Sequence, residues 1–348
     1  MKTLSIIRPD DWHLHLRDGP GLASFVAATA RHFARAIVMP NLVPPVTTTE
    51  RARAYRERML AALPDDMAFE PLMTLYLTDQ TSPEEIRQAG ASGFVKGVKY
   101  YPAGATTHSD SGVTRVDKTY DALDAMEDVG LPLLVHGEVV NHEVDIFDRE
   151  RVFIDQVLEP LAERFPTLKI VLEHVTTKDA VGFVRAASDR MAATITVHHL
   201  MLNRNAMFRG GMNPHHYCLP VLKREIHRQA LLEAAVSGHP RFFLGTDSAP
   251  HPRGAKESGC GCAGIFSAPA ALELYAEVFD EAGALDRLEG FASRHGPAFY
   301  GLPVNDDHIT LVKRPWTMPA AISCGTEEVV PLRAGGEVLW SVAHGNHG

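Results

Sequence analysis

The chain has 348 residues, 45% hydrophobic and 22% charged, an ordinary composition for a folded globular protein and enough length for a large core. Its net charge is −9 with basic residues scattered, so no basic stripe or aromatic-interleaved patch points to nucleic acid. The N-terminus lacks the n-region and h-region of a signal peptide, and no apolar run reaches bilayer length, so a cytoplasmic protein without a membrane partner is expected.

A unit recurs along the chain: a short β-branched run, a turn rich in Gly, Pro or polar residues, then a helical stretch. Strands are expected at residues 4–7 running on to His15, then at 35–39, 71–77, 94–100, 132–135, 169–172, 193–197 and 242–244. Helices are expected at 22–31, 50–63 (with Thr47, Thr48 and Thr49 as capping candidates), 118–129, 151–165, 178–187 and 223–237. Strands alternating with helices imply a parallel sheet, and eight βα units fit a (β/α)₈ TIM barrel. A doubly wound open sheet is the alternative, but no G-x-G-x-x-G follows the first strand. Beyond two more helices at 268–282 and 285–295, the tail holds the turn-rich Arg314-Pro315-Trp316 and the apolar Val338-Leu339-Trp340. The expectation is one barrel domain over 1–348, with a short C-terminal appendage from about 303 packed on it.

The four cysteines, Cys218, Cys260, Cys262 and Cys324, are too few for a disulfide framework, and Cys260-Gly261-Cys262 has no second pair at zinc-ligand spacing. Free thiols are expected. Histidine, at 18 residues, is the compositional oddity.

The strand-end stretch Trp12-His13-Leu14-His15-Leu16-Arg17 would place His13, His15 and Arg17 on one face and Leu14 and Leu16 on the other. Two imidazoles side by side can chelate a borderline-soft metal such as zinc. A lone H-x-H also fits two surface or hydrogen-bonded core histidines. Further donors, however, close other strands: Asn41 the second, Lys99 the fourth, His136 the fifth, His174 the sixth and Asp247 the eighth. Strand ends of a barrel converge on one mouth, where active sites lie. Four histidines and one carboxylate are too few for two closed metal sites but suffice for two metals that share bridging ligands. Lys99 then has two readings. It is an ordinary substrate-binding or salt-bridged lysine, or an amine of depressed pKa that has reacted with CO₂ to give a bridging carbamate. Lys96, three residues earlier, falls on the opposite strand face.

These motifs, with Met39-Pro40-Asn41-Leu42, Val98-Lys99-Tyr100-Tyr101-Pro102-Ala103, His136-Gly137-Glu138, Leu172-Glu173-His174-Val175-Thr176-Thr177, Gly245-Thr246-Asp247-Ser248-Ala249-Pro250-His251 and Gly259-Cys260-Gly261-Cys262-Ala263-Gly264, span nearly the whole chain. In combination the sequence resembles the amidohydrolase superfamily and, within it, the shorter bacterial dihydroorotases. The resemblance implies a (β/α)₈ barrel and two zinc ions per subunit, bridged by carboxylated Lys99 (N6-carboxylysine) and a hydroxide. His13, His15 and Asp247 would hold one zinc, and His136 and His174 the other. The implied reaction is the reversible cyclisation of N-carbamoyl-L-aspartate to L-dihydroorotate, the third step of de novo pyrimidine synthesis, commonly by a homodimer.

Under that reading the zinc-bound hydroxide attacks the ring carbonyl, and Asp247 is the catalytic residue that shuttles its proton to the leaving nitrogen. Arg17, Asn41 and His251 would anchor the substrate carboxylate, with Leu219 and Ala263 also in the substrate site. Thr106 and Thr107 belong to the segment 102–112, which has no large apolar anchor and reads as a mobile loop over the mouth. The rivals are another cyclic amidohydrolase of the hydantoinase or allantoinase type and a catalytically inactive scaffold. The carboxylate clamp argues against the first, and the intact ligand set against the second.

Overall fold

In the computed structural model, which describes residues 2–343, eight strands pair side by side in chain order, all parallel. They are Asp10–Leu14, Arg35–Val38, Glu70–Tyr76, Val95–Tyr100, Leu133–Val135, Ile170–Leu172, Met191–Ile195 and Phe242–Leu244. The first and eighth meet through a parallel bridge between Leu14 and Ser248, with Asp247 N–H donating to the His13 carbonyl at 2.7 Å and His15 N–H to that of Ser248 at 2.9 Å. This is the expected TIM barrel.

Between strands lie helices, among them Leu22–Ala30, Thr49–Ala62, Tyr120–Val129, Lys178–Ala186 and Glu225–Val236. Of the three threonines before the second helix, Thr48 is the cap, its hydroxyl accepting from Arg51 N–H at 3.3 Å. The helix Pro83–Ala91 was not anticipated from the sequence, although Ser82-Pro83-Glu84-Glu85 carries its start signal and Ser82 caps it. The expected helix at 151–165 runs over 149–164 with a π-turn at Ile154–Leu158.

Two expectations are corrected. Residues 4–7 do not run on into the first barrel strand. Thr3–Ile7 pairs antiparallel with His308–Val312 in a separate small sheet, and the chain breaks at Arg8-Pro9, where proline offers no N–H to a ladder. The expected strand 193–197 ends at Ile195, because the Thr196 hydroxyl accepts from His199 N–H and starts the short helix Val197–Met201.

The interior of the barrel is a cluster distinct from the layer between sheet and helices: Trp12, Ile37, Met39, Leu72, Leu134, Val171, Ala192, Phe243 and Phe299. A register shift between Asp11 and Leu14 breaks strict alternation in the first strand. It turns Trp12 into the interior while Leu14 and Leu16 still join the outer layer. The Trp12 ring stacks on Tyr300 with centroids 4.4 Å apart. The appendage expected over 303–348 is described as far as Ala343. Its strand His308–Val312 joins the chain's N-terminal strand to Ser341–Val342, and Trp340 is buried with its carbonyl accepting from Trp316 Nε1 at 2.9 Å.

The packing around Trp12 gives one test. A Cβ on Gly296 would lie 1.9 Å from Trp12 Nε1. Gly296→Ala should therefore push the indole off its place and cost about 1–3 kcal/mol or more, read as a lower midpoint in denaturant. An unchanged midpoint would mean the indole relaxes freely.

Candidate active site

Of the donors expected at strand ends, all but Lys99 open on one cleft. His13, His15, Arg17, Asn41, His136, His174, Asp247, Leu219, Ala263, Thr106 and Thr107 line one cleft, together with Tyr101, Ala249 and Gly264. Two expected site residues do not line it. Lys99 is fully buried, its Nζ 5.0 Å from the centroid of the Tyr101 ring, and His251 lies against Arg17.

His13, His15 and Asp247 converge. The Nε2 atoms of the two imidazoles lie 3.4 and 3.2 Å from Asp247 Oδ1. Burial alone would raise the Asp247 carboxyl, but contact with His13 and His15 outweighs it and holds the group well below the usual carboxylate range. Burial pushes His15 down to about 3 and His174 well below its ordinary value, so both rings are neutral and able to donate a lone pair. His174 brings the trio into contact with His136: its ring centroid is 4.9 Å from that of His13 and 5.0 Å from that of His136.

A second layer, to which the sequence reading gave no role, fixes these rings. Glu173 Oε2 lies 2.9 Å from His13 Nδ1, and Glu138 Oε2 lies 3.0 Å from His136 Nε2, which leaves Nδ1 of His136 for the site. Thr194 Oγ1 donates to Glu173 and accepts from His174 N–H. Asp11 accepts from the N–H groups of His13 and Thr246 and from the Thr246 hydroxyl. A readable signal existed for the two glutamates, since each sits within two residues of a strand-end histidine. His174 and Asp247 both have positive φ, 40° and 43°, sparsely populated values for non-glycine residues that the surrounding bonds must hold.

The donors fit a metal centre. His15 Nδ1, His174 Nδ1 and Lys99 Nζ are all buried without a hydrogen-bond partner among the described residues. Four imidazoles with a carboxylate suit borderline-soft divalent ions. Burial pushes the Lys99 amine down to about 8, against the pull of Glu173 and Asp247. A second group, His198, His199 and Cys218, is also close together, but His199 is engaged at both nitrogens, with Thr196 Oγ1 at 2.7 Å and the Pro220 carbonyl at 3.1 Å.

In the same cleft Arg17 presents a cation. Its Nε donates to the Pro250 carbonyl at 3.2 Å and its Nη2 lies 2.9 Å from His251 Nε2, while Nη1 is buried without a partner among the described residues. His251 Nε2 is also 3.0 Å from the Ala263 carbonyl; a neutral ring serves only one of these neighbours. The segment 102–112 folds over the mouth rather than away from it. Ser109, fully buried, bonds Thr106 N–H and carbonyl through its hydroxyl at 2.8 and 2.6 Å, and Asn41 Nδ2 donates to the Thr107 carbonyl at 3.3 Å.

The chain as a whole is similar to known proteins. The Amidohydrolase family profile matches residues 3–309. A curated dihydroorotase of Nitrosomonas europaea is 65% identical over 342 residues, covering 98% of each chain. The crystal structure of dihydroorotase from Campylobacter jejuni superposes with a TM-score of 0.90 at 37% identity, covering 98% of each chain. That of Saccharomyces cerevisiae dihydroorotase in complex with 5-fluoroorotic acid gives 0.90 at 34%, covering 99% of each. Among the described residues no helix is long and apolar enough to cross a membrane. With a family profile over most of its length and a relative this similar end to end, the chain belongs to the amidohydrolase family and, within it, to the dihydroorotases.

Proposed function

We propose that this cleft interconverts N-carbamoyl-L-aspartate and L-dihydroorotate with two zinc ions in place. The observation that carries the reading is a carboxylate-seeking cation and a nitrogen-rich donor set opening on one small cleft: Arg17, with its unpaired Nη1, faces the same space as His13, His15, His136, His174 and Asp247. His13, His15 and Asp247 would hold one ion and His136 and His174 the other, with Lys99 shared. Ions held by these residues would supply a hydroxide near neutral pH and polarise the ring carbonyl.

The remaining chemistry belongs to the chain. The Lys99 nitrogen, kept toward its neutral form by burial, bonds to the carbon of CO₂ and releases one proton to solvent, leaving a carbamate with two oxygens. Asp247 takes the proton of the attacking oxygen as the ring C–N bond breaks and returns it to the departing nitrogen; in ring closure it works in reverse. Arg17 Nη1 binds the substrate carboxylate, and His251 orients the guanidinium from behind. Asn41, Thr106 and Thr107, with Leu219 and Ala263, complete the wall and exclude water. A neutral ring, as in the hydantoinase reading, has no use for Arg17.

The reading extends to one catalytic domain over 1–348 in which the appendage braces the barrel, supported by its pairing with Thr3–Ile7. It also extends to a cytoplasmic homodimer. The free thiols of Cys218, Cys260, Cys262 and Cys324 suit a reducing compartment, and the dimer follows from the family resemblance.

Elemental analysis with an assay of ring closure tests the central claim. The wild type should hold two zinc ions per chain, whereas Lys99→Ala should lose at least one and nearly all turnover while keeping its far-UV dichroism. Full metal content and turnover in that variant would remove Lys99 from the centre. Arg17→Met should lower kcat/KM for dihydroorotate by about tenfold or more, the worth of a hydrogen bond to a charged group. An equal loss on a neutral cyclic imide would make Arg17 structural. The double variant Thr106→Ala, Thr107→Ala should turn over far more slowly with its metal intact, and wild-type kinetics would refute a closing role for the loop.

A further inference from the structure

Lys256 lies outside the cleft and has no part in the chemistry above, yet its surroundings are unusually complete. Its Nζ is buried, with the residue 3% exposed, and donates to three backbone carbonyls, those of Tyr217, Cys262 and Gly264, each at 2.8 Å. An ammonium has three N–H donors, and here each has an acceptor. Among the described residues no carboxylate pairs with it, and the nearby thiols of Cys218 and Cys262 are pushed up by burial and stay neutral.

The three carbonyls belong to two segments that wall the cleft. Tyr217 stands two residues before Leu219, and Cys262 and Gly264 flank Ala263; Leu219, Ala263 and Gly264 all line the cleft. The segments also touch directly, with Gly264 N–H donating to the Tyr217 carbonyl at 3.0 Å. The second segment is conformationally demanding. Cys262 has φ 26°, and a Cβ on Gly264 would lie 2.6 Å from the Ala249 carbonyl oxygen. Such a backbone persists only when its neighbours over-determine it. The Ala263 carbonyl in turn lies against His251, which contacts Arg17. One buried ammonium therefore reaches the carboxylate site through the backbone of two segments and the His251 ring.

We infer that Lys256 is a positioning residue of the substrate-carboxylate site: its ammonium locks together the two backbone segments carrying Leu219 and Ala263 and leaves an unpaired positive charge behind them, favouring an anionic ligand. The inference rests on the proposed function above. Burial pushes the amine down to about 8, which still leaves it mostly charged near neutral pH, with the three carbonyls as its acceptors.

The test uses the metal-loaded enzyme with orotate as the probe, comparing the wild type with Lys256→Met and Lys256→Gln. Both variants should keep wild-type metal content and circular dichroism. The calorimetric Kd for orotate and the KM for dihydroorotate should rise by about tenfold or more, with kcat less affected, as expected when binding common to ground and transition states is lost. Unchanged Kd and KM, a fall confined to kcat or metal content, or loss of the fold in both variants would each overturn the positioning role. A wild type that neither binds orotate nor closes the ring would instead defeat the proposed function itself.

Discussion

A primary amine buried without a partner is the constraint around which this molecule is arranged. Lys99 emerges from the fourth barrel strand with its Nζ sealed from solvent and no hydrogen-bond acceptor among the described residues. An isolated charge there is very costly, and a neutral amine without a hydrogen bond, though far less so, still costs. The site around it disperses that cost. Glu173 and Asp247 supply negative charge nearby, yet each is occupied: Glu173 against His13 and Thr194, Asp247 against His13 and His15. What the amine lacks, the proposed carbamate between two cations would provide. The inner residues thus look incomplete one at a time and complete only as a set.

Behind that set the barrel interior is filled by buried apolar side chains, and this separation of layers underlies the site's precision. Trp12 fills the interior directly beneath His13 in sequence, and the register shift beside it lets one strand present an indole inward and an imidazole to the mouth in succession. Asp11 accepts from the His13 N–H, Thr194 donates to Glu173, and the carboxylates of Glu173 and Glu138 lie against His13 Nδ1 and His136 Nε2, which holds the two rings in place. Strand ends carry the proposed metal donors, while loops carry Arg17's neighbours, the threonine pair and Ala263. The division suits a centre that must not move and a substrate that must enter and leave.

Much of this was legible in the sequence because a barrel converts order along the chain into convergence at one end. His13, His15, Lys99, His136, His174 and Asp247 could be placed together from strand endings alone. The first strand was misjudged because apolar residues 4–7 look like the natural run-up to His13; only pairing shows that Pro9 divides two sheets. Trp12 was hidden by the register shift, since a strict period of two sends it outward. The helix Pro83–Ala91 is announced only by its start signal at Ser82-Pro83-Glu84-Glu85, with just Ile86 and Ala89 buried along it. Glu138 and Glu173 were visible beside their histidines, but a carboxylate's partner is set by tertiary geometry. Lys256 carries no local signal at all, because the carbonyls it gathers come from positions as far apart as Tyr217 and Gly264.

The seam between the first and eighth strands has a consequence for how the protein comes into being. The Asp247 amide that closes the ring by donating to the His13 carbonyl belongs to the same residue whose carboxylate faces His13 and His15. While the chain is still being synthesised, its first six strands can present all four imidazoles, but the trio lacks its oxygen donor until the last strand has left the ribosome. In the proposed centre, completing the donor set and closing the barrel would therefore be one event. A chain ending before that strand would be an open-edged sheet without Asp247, so under the proposed function metal loading would favour finished barrels over unfinished ones.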